Sequence, residues 1–278
     1  MSSSAARERF GRLAALEDDH IDLLEGAFLI AQEEYPELVL DEQIQRVEAI
    51  ARRCSEHLAG AEDFFHAVWV INRVLFDEMG LRGNVEAFDD PENSYLNRVL
   101  DRRTGIPITL SVLYREVARR CGFHVEGIGL PGHFVVRVTD DWGHTYVDPF
   151  HGGSVVTRDD LSRLLHERFG PRARLLEEHL EPVSSRRILT RMLLNLKRIY
   201  VRKQDDERAV LASERIVLLQ PDAATERRDR GLLYRRTGRR AEAITDLRWY
   251  LNDRPQAIDG PRIRRVLNEL LHERAAEG

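Results

Sequence analysis

The chain has 278 residues, a formal net charge of −5, 42% hydrophobic residues and 32% charged residues. That composition supplies a sizeable core and argues against a disordered chain. No run approaches the roughly 18 apolar residues of a membrane span. The start, Met1 to Arg7, has no apolar stretch of the secretory kind. Cys54 and Cys121 both fall in helix-like contexts, as packed free thiols of a reducing compartment do. A cytoplasmic protein is therefore expected. The charge is uneven: residues 1–182 carry a balance of −13 and residues 183–278 a balance of +8. This fits either two solvated surfaces that complement each other or a basic surface for an acidic partner. Nucleic acid is not expected, because no recognition motif accompanies the basic half.

Apolar residues recur with helical spacing over 13–34 (Leu13, Leu16, Ile21, Leu24, Phe28), and Pro36 ends the run. Further helices are predicted over about 41–58, with Val47, Ile50, Ala51 and Cys54 on one face, and over about 62–79, ended by Gly80 and Gly83. Asp89 to Ser94 has the turn chemistry of a loop, in which Asn93 or Ser94 could cap a short helix over Tyr95–Asp101. The next helix, about 107–121, has Pro107 in its first turn and Gly122 just past its end. Its apolar residues exceed one stripe, which predicts a central, largely buried helix. The period then shifts toward two. Strands are expected at His124–Gly129, His133–Val138 and Thr145–Asp148, with a turn at Asp140-Asp141-Trp142-Gly143. Thr157 or Arg158-Asp159-Asp160 opens another helix.

Beyond Pro182 the pattern is helical, with an internal period. Tyr200 and Tyr234, Ala209 and Ala243, Val210 and Ile244, Val217 and Leu251, and Pro221 and Pro255 are each 34 residues apart. This is the tetratricopeptide spacing. Alanine allows close helix approach, tyrosine fills the space between paired helices, and proline ends the second helix. Two repeats, about 190–223 and 224–257, and a capping helix at about 261–275 are expected.

Three features in the middle of the chain bear on chemistry: Gly105-Ile106-Pro107 at a helix start, Pro131-Gly132-His133-Phe134, and Val147-Asp148-Pro149. A histidine and an aspartate on neighbouring antiparallel strands supply the base and its orienter in a Cys-His-Asp triad. A cysteine at the N-terminus of the adjoining helix would complete it, its thiolate favoured by the helix dipole. The order resembles the transglutaminase-like superfamily. Over about 30–260 the chain more closely resembles the SirB family of bacterial transglutaminase-like and tetratricopeptide repeat proteins. That likeness rests on Gly83-Asn84, Asp90-Pro91-Glu92-Asn93-Ser94-Tyr95-Leu96-Asn97, Arg102 to Ser111, Leu130-Pro131-Gly132-His133-Phe134 and Val147-Asp148-Pro149-Phe150. The resemblance implies an α+β fold. A helix-rich transglutaminase-like (papain-type) domain with a small antiparallel sheet would fill 1–182, its core at about 83–160. An all-α tetratricopeptide-like unit would follow over 183–278.

By the same resemblance His133 and Asp148 match the superfamily histidine and aspartate, but the cysteine position falls near Pro107, which has no nucleophile. Cys121 is at the far end of that helix, about 20 Å away. The His133/Asp148 pair is open to three readings: a buried polar pair kept for fold specificity, part of a ligand or peptide site, or a catalytic pair served by Thr109 or Ser111 as a hydroxyl nucleophile. Arg102 and Arg103 could clamp a carboxylate or phosphate, or pair with Asp89, Asp90 or Asp101. Asn93, Tyr95 and Asn97 could line a cleft or satisfy loop backbone. His133, His144, Asp148 and His151 match no standard metal spacing, so no metal or cofactor is expected. A non-catalytic domain that binds a protein or peptide partner is the leading expectation. An amide hydrolase or acyl transferase is the alternative.

Overall fold

A computed structural model describes residues 3–58, 64–141 and 143–276. Contacts divide it into two compact units, Met1–Met192 and Leu193–Gly278.

The first unit opens with α1 (Ser3–Ala14), α2 (Leu23–Glu34) and α3 (Leu40–His57). The helix expected over 13–34 is thus two helices with a short 3-10 turn at Asp18–His20 between them. The acidic run Glu17-Asp18-Asp19 carries no apolar stripe, and the Asp22 carboxylate accepts from the Glu25 N–H at 2.9 Å, restarting the helix there. On α3 the buried residues Val47, Ile50, Ala51 and Cys54 keep the expected face. α4 (Phe64–Asn72) runs into a π-helical turn, Arg73–Glu78. Residues 62 and 63, the expected start of this helix, lie outside the described residues.

Two short strands follow, β1 (Arg82–Gly83) and, after the α5 helix (Leu96–Arg102), β2 (Thr104–Gly105); they pair in parallel, Gly83 opposite Gly105. Neither Asn93 nor Ser94 caps α5: the helix starts at Leu96, so Tyr95 holds the cap position, without a side-chain bond. α6 (Pro107–Arg120) starts on Pro107 and ends before Gly122 at φ +91°. It is buried on nearly every side, from Ile108 to Ala118.

The sheet has five antiparallel strands in the order β6-β5-β4-β3-β7: β3 (His124–Ile128), β4 (Val135–Asp140), β5 (Gly143–Asp148), β6 (Ser154–Val156) and β7 (Pro182–Val183). The two edge strands have too little alternation to be read from sequence. Ile128, Val135 and Tyr146 on one face cluster with Leu161 and Leu180. Leu161 belongs to α7 (Arg158–Phe169), which starts on a reciprocal cap between Thr157 and Asp160. The opposite face carries Val125, Val136, Val138 and Val147, all buried, and α6 packs against β3 and β4. Strand β4 begins at Val135, so His133 lies in the turn before it; its N–H donates to the Leu130 carbonyl at 3.3 Å. Trp142, in the expected β4–β5 turn, is outside the described residues.

α8 (Ser185–Arg202) spans the boundary between the units; α9 (Asp206–Leu219), α10 (Ala224–Arg236), α11 (Arg240–Asp253) and α12 (Gly260–Ala276) complete the second. Repeat positions are used alike. Ala209 and Ala243 are fully buried, and Tyr200 and Tyr234 are each 5% exposed. Pro221 and Pro255 follow the ends of α9 and α11. Asp246 accepts both Arg230 Nε and Nη2, at 2.7 and 2.8 Å, locking α10 to α11. Among the described residues no helix is long and apolar enough to cross a membrane.

Gly231 lies at a close approach of α10 and α11: a Cβ there would stand 2.9 Å from Leu247 Cδ2 and 3.2 Å from Asp246 Cβ. Gly231→Leu is therefore expected to lower the stability of this unit by about 1–3 kcal/mol through overpacking, read as a lower urea midpoint of its helical signal. An unchanged midpoint would contradict the packing described.

Candidate functional site

The site is built where the turn before β4, the end of β5 and the start of α6 meet. Pro107 occupies the first position of α6, where a missing N–H costs nothing and the fixed φ suits the helix. The Thr109 hydroxyl oxygen accepts from the Ile106 N–H at 3.1 Å and lies 2.8 Å from the Asn93 carbonyl, to which it donates. Thr109 is fully buried and its hydrogen-bonding capacity is spent on the helix start and the preceding loop. One turn into the helix, the fully buried Ser111 hydroxyl donates to the Phe134 carbonyl at 3.2 Å. Among the described residues neither hydroxyl is bonded to an imidazole.

His133 is 3% exposed and Asp148 is 1% exposed. Their contact is His133 Nε2 to Asp148 Oδ2, 2.7 Å. The same carboxylate oxygen lies 2.8 Å from Nδ1 of His151, and Oδ1 accepts the Phe150 N–H at 3.0 Å. With the carboxylate ionised, both facing ring nitrogens carry protons. Nδ1 is then the His133 nitrogen not engaged by Asp148, the position from which a base would serve a nucleophile. Burial alone would raise the Asp148 carboxyl, but the hydrogen bonds from His133 and His151 outweigh it and hold the group well below the usual carboxylate range. The hydrogen bond to Asp148 pushes His151 above its ordinary value, against a smaller opposing effect of burial.

His133, Pro107 and His151 open onto one cavity of about 370 Å³ whose other walls are Val85, Phe88, Phe150, Leu164, Glu167 and Arg168. Phe150 meets the His133 ring edge-on at 6.0 Å and Phe88 at 6.2 Å. The Arg168 guanidinium lies 5.9 Å over Phe88. Gly132, at φ +70°, leaves the room this arginine uses: a Cβ there would come within 2.6 Å of Arg168 Nε.

The remaining residues singled out in the sequence fall outside this cavity. Asn93 is fully buried and serves the loop, accepting from Asn84 Nδ2 at 3.1 Å and donating to the Ala87 carbonyl. Tyr95 packs edge-on against Tyr35 at 5.5 Å. Asn97 is buried, and its Oδ1 has no hydrogen-bond partner among the described residues. Arg102 pairs with Asp90 at 2.8 Å and Glu92 at 3.0 Å. Arg103 is exposed and ends α5 in the left-handed conformation, at φ 56°. His144 stacks edge-on with Tyr146 on β5 and is not part of the cluster. The sequence reading missed the cavity walls contributed by Val85, Phe88, Leu164 and Arg168. No spacing rule brings those loop and helix positions together, although Phe150 stood beside Asp148 in the quoted motif.

The two shifted groups imply opposite pH dependences. The depressed Asp148 contributes stability that is present above the ordinary carboxylate pKa, about 4, and is lost as pH falls through its lower folded value. The raised His151 contributes stability that is complete below about 6.5 and is lost as pH rises through its higher folded value. His151→Ala should therefore depress the urea midpoint most below about pH 6.5, with the gap to wild type narrowing as pH rises through the raised folded value. A gap that widens with pH would contradict the assignment.

Comparison with known proteins agrees with this architecture. The model of the transglutaminase-like superfamily matches residues 41–194, and that of the tetratricopeptide repeat matches residues 196–268. A UPF0162 protein of Xylella fastidiosa (strain Temecula1) is 36% identical over 276 residues, covering 95% of each chain. A UPF0162 protein of Vibrio cholerae is 27% identical over 92% of this chain and 94% of its own. Protein SirB1 of Salmonella typhimurium is 22% identical over 94% of this chain and 97% of its own. No solved structure matches the chain. With a histidine–aspartate pair beside a helix start, and helical repeats following that core in the chain, the chain belongs to the transglutaminase-like superfamily, in the family of UPF0162 and SirB proteins.

Proposed function

We propose that the chain is a non-catalytic member of its superfamily that acts in the bacterial cytoplasm as a protein-interaction or regulatory module. In this reading it holds a protein or peptide partner in the cavity beside His133 and on its helical repeats. The observation that carries the reading is the occupant of the nucleophile position. Pro107 begins α6 and shares a cavity with His133, yet it offers neither thiol nor hydroxyl. Tetratricopeptide repeats generally mediate protein–protein interaction, and the second unit matches them. Phe88, Phe150 and Leu164 give the cavity apolar wall, and the imidazoles and Arg168 give it polar points. That mixture suits a side chain or chain end better than water alone.

The alternative is an amide hydrolase or acyl transferase using Thr109 or Ser111 with His133 and Asp148. It would require a buried hydroxyl to leave the carbonyl it now serves and reach the imidazole. A hydroxyl also needs stronger activation than a thiol.

Affinity capture with wild type, Leu164→Arg and His133→Ala tests the proposal, alongside an assay of amide hydrolysis and transamidation. The expected result is a partner retained by wild type, lost with Leu164→Arg and weakened with His133→Ala, with no turnover above background. Equal recovery by all three proteins would remove the cavity from the binding account. Turnover abolished by His133→Ala or Thr109→Ala would replace the account with an enzymatic one.

A further inference from the structure

His151 has no part in a histidine–aspartate pair, yet the structure takes trouble to place it. Asp148 ends β5 and the chain turns at once through Pro149–His151, a single 3-10 turn. The turn is closed by the Gly153 N–H on the Asp148 carbonyl at 2.9 Å and by the Ser154 hydroxyl on the His151 carbonyl at 2.6 Å. Gly152 and Gly153 take φ +68° and +75°, and the Asn72 amide ties the Gly153 carbonyl down at 2.7 Å. A Cβ at Gly153 would collide with the Asn72 side chain, so the tie and the turn depend on glycine. The result is that His151 comes back over its own i−3 neighbour, Asp148.

We propose that His133, Asp148 and His151 form a binding site for a divalent transition-metal ion. Their ligand atoms all lie within 4.8 Å of one another. Two imidazole nitrogens converge on a single carboxylate oxygen, at 2.7 and 2.8 Å. Ligands about 2.1 Å from an ion stand about 3.0 Å apart at right angles and about 3.4 Å apart at the tetrahedral angle, so each N···O separation has to open by about 0.2–0.3 Å for an octahedral ion and about 0.6–0.7 Å for a tetrahedral one. The ion takes the place of the two shared protons. Each imidazole binds through the nitrogen now facing Asp148 and, when neutral, moves its proton to the other ring nitrogen. A His151 that starts as imidazolium releases one proton to solvent.

The donor set decides the class of ion. Two imidazoles and one carboxylate suit Zn²⁺, Co²⁺, Ni²⁺ or Fe²⁺, whereas Mg²⁺ and Ca²⁺ prefer sites made wholly of oxygen. Three protein ligands on one side leave positions open, and both histidines line the 370 Å³ cavity that would hold the remaining ligands. Outer contacts of the kind that orient metal ligands are in place: the Phe150 N–H fixes Asp148 Oδ1, and the glycine turn fixes His151. Burial of His133 and Asp148 leaves access from the side of His151, whose side chain is 55% exposed. The inference does not rest on the chain being non-catalytic. The sequence offered these three residues together with His144, and no metal was expected because their spacing matches no standard motif.

The test is Co²⁺ titration of the untagged full-length chain, stripped with chelator, followed by d–d absorption and calorimetry and repeated with Zn²⁺ in competition. Wild type is expected to bind one ion per chain. His151→Ala, half-exposed and outside the core, should weaken binding at least tenfold, and Asp148→Asn should do so more strongly. His144→Ala, a histidine on the same strand as Asp148 but outside the cluster, should bind as wild type does. Circular dichroism of each variant separates loss of ligand from loss of fold. No saturable binding by wild type, or binding unchanged in His151→Ala, would overturn the proposal. Repeating the partner capture in chelator keeps the two ideas apart. Capture that survives chelation leaves the interaction account standing whatever the metal result, and metal binding stands or falls without any partner.

Discussion

The first unit is organised around one carboxylate. Asp148 sits at the end of β5 with almost no solvent contact, and it stays ionised there because three N–H groups point at it, from His133, His151 and Phe150. A buried charge without such partners would cost several kcal/mol. The bonds fix where the turn before β4 lies relative to the end of β5. They also fix the His133 tautomer and hold the Pro149–His151 turn against the sheet. The glycines at 152 and 153 and the Asn72 tie beyond them serve the same arrangement.

Around this centre the helix α6 supplies what the rest of the core packs on. Its first turn is set by Pro107 and by the Thr109 hydroxyl. Proline at the first helical position is well tolerated, so the helix start survives without a nucleophile. The hydroxyl nearest in sequence, Thr109, stabilises the same helix start by bonding the Ile106 backbone and the Asn93 carbonyl. In the proposed reading His133 and Asp148 take the place of the superfamily's base and orienter, and Pro107 stands where the attacking group would be. A cavity lined by aromatic rings, an arginine and two imidazoles opens beside it. The arrangement suits recognition.

Much of this was legible before any coordinates. The central helix could be read from its surplus of apolar residues between Pro107 and Gly122, and the repeats from tyrosine, alanine and proline at a 34-residue spacing. These signals are local or periodic. What escaped depends on long-range geometry. The break between α1 and α2 turns on the Asp22 cap, which periodicity over Leu13, Leu16 and Ile21 overrode. Edge strands of two or three residues, such as β7, carry no alternation to detect. His133 looked like part of a strand because Val135, Val136 and Val138 follow it, yet pairing starts only at Val135. The partnership of His151 with Asp148 needs two glycines in left-handed backbone, which sequence can permit but not announce. The arginine pair divided for a similar reason: Arg102 finds Asp90 and Glu92, whereas Arg103 takes the helix end.

At the centre of the proposed function is the reading that the site lacks only an attacking atom at position 107. The most direct measurement is the pH dependence of iodoacetamide alkylation of the Pro107→Cys variant, made in a Cys54→Ser, Cys121→Ser background. A thiol at a helix start beside a free imidazole nitrogen should titrate well below the ordinary cysteine value of about 8.5. It should return toward that value when His133→Ala is added. The account predicts an alkylation rate already at its plateau near pH 7 in the first protein and rising past pH 8 in the second. An ordinary thiol profile in a folded Pro107→Cys protein, unchanged by His133→Ala, would contradict it.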